Sequence, residues 1–487
     1  MTAAPSAPPA FATERFLARD LAEWAATLTF DDLSPESIAH AKRFWLDSLA
    51  CAAGGSQTED ARILLEHHRA LAPPAADAPC GVFVGGLRTN PVDAAFLNSH
   101  MVRALDFNDI YWQADPAHPS DLICAPLALC ESLGRSGREL ILATVIVYEL
   151  QCRFAEIGRP GIREYGWHHA TLSGFAAPIG AGRVLELSPD RLVHAMGISA
   201  SRTGTLGAVT AGELTMMKNT VDPWAARMGV ESALLAARGY TGPAHIIDGK
   251  EGLFHTMRHA QSGGAPCGFD ADGLTRELPR SPADDYRITR CGMKSFPVEA
   301  LMHAPLSAIG AIRNKHRFAC DDVREIRVEV IARAADILGD PAKYRPTTRE
   351  TADHSLPYAI AAMLADGRLT PAQFDPERVR DPALIPLMDA VHVVPNASFE
   401  SRFPAEQPSR VTITLADGRS HTGEVSHPKG DPRHPMSDDE LHAKLRSLAS
   451  PVLGEHACDA IAAIVRDLDA LDDVATLTRA MQGGTGV

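Results

Sequence analysis

The chain has 487 residues, 45% hydrophobic and 22% charged, with a formal net charge of −14. That length buries a sizeable core without disulfides or metals, and so acidic a balance lacks the basic surface on which nucleic-acid binding rests. The longest largely apolar run, Leu140 to Tyr148, is nine residues, against about 20 for a membrane-crossing helix.

Residues 1–12 have neither a basic nor an apolar leader region and read as a disordered tail, which makes the expected location cytoplasmic. Phe16, Leu17, Leu21, Trp24 and Leu28 recur at helical spacing and predict an amphipathic helix. Ser34-Pro35-Glu36 supplies an N-cap, a first-turn proline and an early acid for a helix running to Ala53, where Gly54-Gly55 stops it. Residues 81–86 form a short strand-like interruption. Asn90-Pro91 then opens a helix reaching Leu105. Further helices are expected at about 121–134, 137–156, 168–186, 189–200 and 222–238. Those from 168 onward are rich in Ala and Gly and poor in charge, so they belong at the buried centre of a helical domain.

The texture changes near residue 275, where Pro279 and Pro282 mark a linker. A helix at about 298–314 precedes Val323–Val330, whose strict alternation reads as a half-buried strand. A helix at 354–366, a strand at 390–394 and a hairpin of 410–415 with 420–425 about Asp417-Gly418 follow. Ser437-Asp438-Asp439-Glu440 is a capping box that returns the chain to helix. The expected fold is mainly α: a large all-helical domain formed by both chain ends, 13–271 and 433–487, with a smaller α+β domain inserted at 272–432. None of the nine cysteines forms a C-x-x-C pair, and they read as small core residues in a reducing compartment.

Five polar segments are candidates for chemistry. Arg103 to Asp109, followed by His118-Pro119-Ser120-Asp121, lies where a helix gives way to a loop, and it combines a cation, carboxylates and an imidazole suited to binding an anion and moving a proton. As plain structure, Asp106 and Asp109 are turn residues and Ser120 is a cap. Gly166-Trp167-His168-His169 opens a helix, and a helix N-terminus disfavours the imidazolium. Lys218 lies among apolar residues ahead of a buried helix, where a lysine needs an anionic partner; otherwise it snorkels. Lys294-Ser295-Phe296-Pro297-Val298-Glu299 puts a lysine beside a proline-opened helix start, an arrangement suited to anions. Asp353-His354-Ser355 reads as a plain cap at least as readily as a site. No H-E-x-x-H, G-x-S-x-G, P-loop or dinucleotide-binding glycine pattern is present, and adjacent His168-His169 lacks the spacing for metal ligation on a helix.

In these segments the chain resembles the MmgE/PrpD superfamily of 2-methylcitrate dehydratases, cis-aconitate decarboxylases and iminodisuccinate epimerases. The likeness runs through Leu46-Asp47-Ser48-Leu49-Ala50, the Asp106–Ser120 loop, Gly166-Trp167-His168 and Met217-Lys218. It continues through Gly239–Pro243, Lys294–Glu299, Ser355–Tyr358 and Pro432–Ser437. It implies an all-helical domain with an α+β lid, a homodimer, no metal or organic cofactor, and a small polycarboxylate substrate. The family's active-site positions fall on Asp106, His118, His168 and Lys218 as catalytic residues, and on Arg103, Lys294, Glu299 and Tyr358 for substrate binding. The twelve-residue interval from Asp106 to His118 and the glutamate at 299 match the dehydratase branch, whereas decarboxylases have a shorter interval and a histidine there. Ile110 departs from the threonine of many members, and the residues after Glu299 also differ. The implied reaction is dehydration of 2-methylcitrate to 2-methyl-cis-aconitate, with cis-aconitate decarboxylation, iminodisuccinate epimerisation or non-catalytic metabolite binding as alternatives. The lysines and Arg103 would stabilise the developing aci-carboxylate, His168 would be the base and the Asp106/His118 pair the acid, and linkers near 272 and 432 would act as hinges.

Overall fold

The computed structural model describes residues 15–71, 77–258 and 268–483; the expected tail at 1–12 lies outside them. The chain is mainly helical, and most helices begin where their sequence signals stand. Ser34 accepts from the Ser37 N–H at the start of the helix Pro35–Gly55. Ser136 and Glu139 form a capping box for Gly137–Glu156, and Ser437 and Glu440 form one for Asp438–Leu453. The first of these helices runs through Gly54 and Gly55 instead of stopping before them. A Cβ on Gly55 would lie 2.0 Å from the Met101 carbonyl oxygen, so the glycine serves the close approach of the helix Pro91–Arg103.

The buried apolar residues form two clusters. One draws on helices from both chain ends, from Phe16 to Met293 and from Met436 to Met481. Its centre is the helices Ala170–Val184 and Val221–Ala237, which pack on each other and on their neighbours, as their small, uncharged sequences predict. The other cluster holds Trp112 together with Val298 to Leu415. The chain passes between the clusters at 293–298 and again between Val425 and Met436. Residues 273–277, near the expected hinge, are anchored: four of their carbonyls accept from the buried Arg153 guanidinium at 2.7–3.2 Å.

The second cluster is built on a four-stranded sheet in the order Ser420–Val425, Ser409–Leu415, Val323–Val330, Val391–Pro395. The first two neighbouring pairs are antiparallel and the last is parallel. Ile326, Val328, Val411 and Ile413 face one way and are fully buried, beneath the helix His303–Lys315. That helix starts five residues later than predicted, because Glu299 first caps a short 3₁₀ turn, Ala300–Met302. Residues 81–86 give only the two-residue strand Cys80–Gly81, paired with Arg88–Thr89. The described cysteines are free and, Cys320 apart, buried. No described helix is long and apolar enough to cross a membrane.

Candidate active site

A small three-stranded sheet assembles the site. The strand Asp109–Trp112 pairs with Pro116–Ala117 on one edge and with Gly292–Met293 on the other. His118 follows the first partner and Lys294 the second, so the register Asp109↔Met293 brings two distant segments together. Gly430 closes over this sheet: its carbonyl accepts from Met293 N–H at 2.9 Å, and a Cβ there would lie 1.8 Å from Met293 O. Lys444 clamps the assembly from the late helix. Its ammonium donates to Asp47 (2.6 Å), the Phe107 carbonyl (2.6 Å) and the Lys294 carbonyl (3.0 Å).

Asp106 stands at the centre. It has a left-handed backbone (φ 48°) just past the helix Pro91–Arg103, a conformation that Asp tolerates better than most residues. Its Oδ1 accepts from both Arg103 and Lys294, and Lys218 Nζ lies 3.3 Å from Oδ2. Lys218 also forks across both oxygens of Asp353, at 2.9 and 2.8 Å, and His354 Nδ1 lies 2.6 Å from Asp353 Oδ1. Burial would raise the Asp106 pKa, but Arg103, Lys294 and Lys218 outweigh it and hold the carboxyl well below its usual range. It is therefore ionised at neutral pH and cannot be the acid expected from the sequence. Its evident task is to hold three cations together.

The imidazoles lie beside this cluster. His118 Nδ1 is 2.7 Å from the Asp109 carbonyl, a contact that assigns the proton to Nδ1 and leaves Nε2 with a free lone pair. Burial, then Arg103 and Lys294, keep His118 neutral. His168 Nδ1 accepts from Ala170 N–H at 3.2 Å, and burial followed by His169 holds it neutral too, so its proton sits on Nε2 and it is a hydrogen-bond donor to the cavity, not the base expected from the sequence. His169 lies between them, with ring centroids 5.6 Å from His118 and 3.9 Å from His168, and its Nε2 is 3.5 Å from Asp222. Glu299 behaves in the opposite way to Asp106: burial raises its pKa to about 7, although the Leu301 N–H donates to it at 2.7 Å.

Arg103, Asp106, His118, His168, Lys294 and Glu299 line one cavity of about 30 Å³, room for a water or two. Lys218 reaches it through Asp106. Tyr358 does not: it is fully buried in the second cluster, and its hydroxyl is occupied by the Gln373 carbonyl. The substrate-binding role expected for it is therefore corrected to a packing one. Asp353, His354, His169 and Asp222 join the site although the sequence reading gave them no role; the Asp353-His354 pair carried a signal that a plain cap explained equally well.

Two donor sets have ligand atoms within 4.8 Å of one another, His168–His169–Asp222 and Asp106–Asp353–His354. In the second, three cations already neutralise the carboxylates. In the first, His168 Nδ1 accepts from a backbone N–H, so the neutral ring carries its proton on Nε2 and offers no free lone pair to an ion.

The MmgE/PrpD N-terminal domain profile matches residues 19–263 and the C-terminal domain profile residues 296–470, so the chain belongs to the MmgE/PrpD family. It is 27% identical to the "cis-aconitate decarboxylase-like protein oryM" of Aspergillus oryzae, over 95% of this chain and 97% of that one. It is 27% identical to the mouse cis-aconitate decarboxylase over 94% and 91%. The 2-methylcitrate dehydratase of Cupriavidus necator is 26% identical over 71% and 72%. The fuller matches thus lie with decarboxylases, not with the dehydratase branch expected from Glu299 and the Asp106–His118 interval.

Proposed function

We propose that this MmgE/PrpD protein is a lyase for an aconitate-type tricarboxylate, and that its reaction is decarboxylation. The observation that carries the reading is the shared cavity, with Arg103 and Lys294 on one part of its wall, Lys218 behind them on Asp106, and on another part Glu299, whose carboxyl burial raises to about 7. In decarboxylation a carbon–CO₂ bond breaks, its electron pair shifts through the alkene, and the far alkene carbon takes up one proton. The product is an unsaturated dicarboxylate with one carbon fewer. Lys218, Lys294 and Arg103 would stabilise the negative charge as it spreads onto the remaining carboxylates, and Glu299 would supply the proton. The near whole-length likeness to decarboxylases favours this reaction over the others.

A specific observation favours dehydration as a second reading. His118 is a neutral base in the same cavity as Glu299, whose carboxyl burial raises to about 7, and removal of a carbon-bound proton with loss of a hydroxyl needs both a base and an acid. The water-sized cavity implies that the second cluster moves away to admit substrate, then closes and excludes solvent.

The test is carbon-13 NMR of chelator-dialysed protein with cis-aconitate and, separately, with 2-methylcitrate. Released CO₂ with uptake of one proton per turnover supports decarboxylation. Alkene formation from 2-methylcitrate without CO₂ moves the assignment to dehydration. Turnover of neither refutes the proposal, and activity lost to chelation and restored by a metal refutes its metal-free form.

A further inference from the structure

A larger cavity adjoins the catalytic one. It measures about 320 Å³ and shares Ile110, Trp112, Lys294 and Ala300 with it. The shared wall is firmly built: Ile110 pairs with Gly292 in the small sheet, and the Trp112 ring meets Phe403 edge-on at 5.8 Å.

The charges along this cavity are already paired. Arg290 lies 2.5 Å from Asp285, Lys429 2.9 Å from Glu440 and Arg433 2.7 Å from Asp431. The unpartnered groups are uncharged. The buried Nε1–H of Trp112 and Nε2 of His303 make no hydrogen bond within the described structure, and burial with Lys294 keeps His303 neutral, its pKa lowered to about 3. Another carboxylate would meet no free cation here. An alkyl chain would meet Ile110, Trp112, Met293, Ala300 and Pro404.

We propose that this cavity is an extension subsite for an uncharged, largely apolar substituent on the substrate. The anionic end lies against the Lys294 cluster, Trp112 Nε1–H donates to an oxygen at the neck, and the chain runs into the larger space. The preferred substrate is then an alkyl-substituted tricarboxylate and not cis-aconitate itself. This rests on reading the catalytic cavity as a tricarboxylate site.

The probes are propane-1,2,3-tricarboxylate and its methyl, ethyl and propyl derivatives, which are saturated and carry no hydroxyl to lose, titrated calorimetrically into the full chain. Burial of each methylene predicts about fourfold tighter binding per added carbon. Ala405→Trp and Gln407→Trp, which narrow the larger cavity from its outer wall, should abolish that gain and leave the Kd of the parent acid unchanged. A flat or falling series in the wild type, with the parent acid still bound, overturns the subsite alone. Retention of the full gain in both variants also overturns it. No binding of any member, the parent included, overturns the tricarboxylate reading and the subsite with it.

Discussion

Glu299→Gln isolates the group on which both proposed reactions depend. The substitution keeps the shape and the acceptor for the Leu301 N–H, found at 2.7 Å, but removes the titration. Burial raises the Glu299 pKa from its ordinary 4.5 to about 7. The native carboxyl therefore keeps its proton through a window in which the unfolded chain has lost it. In that window the native state binds more protons, so stability falls as pH rises from 4.5 to about 7 and the loss is complete above it. At about 1.36 kcal/mol per pKa unit, a displacement from 4.5 to about 7 costs the wild type on the order of 3 kcal/mol at alkaline pH. Urea unfolding at pH 4 and pH 8.5 should show the glutamine variant matching wild type at the lower pH and exceeding it by about that amount at the higher. Activity should move the other way. Wild-type turnover should decline above pH about 7 as the donor ionises, whereas the variant should lose roughly 10²–10⁴ in rate and show no such limb. An unchanged limb in the variant, or equal stability at pH 8.5, would refute the reasoning.

Asp106→Asn leaves three buried cations without their common counter-ion. It should lower stability by about 3–5 kcal/mol, measured by urea unfolding, and added propane-1,2,3-tricarboxylate should restore part of the loss. His118→Ala removes a free Nε2 lone pair without touching the cations; turnover of 2-methylcitrate should fall by about 10²–10⁴ while the Kd for the saturated acid shifts less than severalfold. Lys444→Met abandons buried Asp47 and the carbonyls of Phe107 and Lys294. It should cost about 3–5 kcal/mol, and loss of activity at temperatures where the variant remains folded would mark the clamp as a positioning device.

Much of the fold was legible because its signals are local. Ser34 and Ser437 cap the helices they announce, and the alternation of Val323–Val330 reproduces the observed strand. The departures come from tertiary demands. Gly54 and Gly55 stay helical because another helix needs their missing side chains, and Glu299 spends its carboxylate on a 3₁₀ turn that delays the following helix. In the site, Arg103, Asp106, His118, His168, Lys294 and Glu299 were identified in the sequence and meet at one cavity. The neutral His168 was legible from its helix start, but the charge states of the carboxyls were not. Whether a carboxyl gains or loses its proton depends on what surrounds it: three cations outweigh burial at Asp106, whereas at Glu299 burial outweighs Lys294 and the Leu301 N–H, and the two shift in opposite directions. Tyr358 sat in a matching motif, yet its helix turns it into the second core.

The central claim is that these residues deliver or remove a proton at a carbon beside a carboxylate. The most direct test is turnover in D₂O with cis-aconitate and 2-methylcitrate, followed by mass spectrometry of product and recovered substrate. The account predicts one deuterium bound to carbon per decarboxylation event, or carbon-bound deuterium in recovered 2-methylcitrate if the reaction is dehydration, and its loss in Glu299→Gln or His118→Ala respectively. Absence of carbon-bound deuterium from every acid, with folded protein, would contradict it.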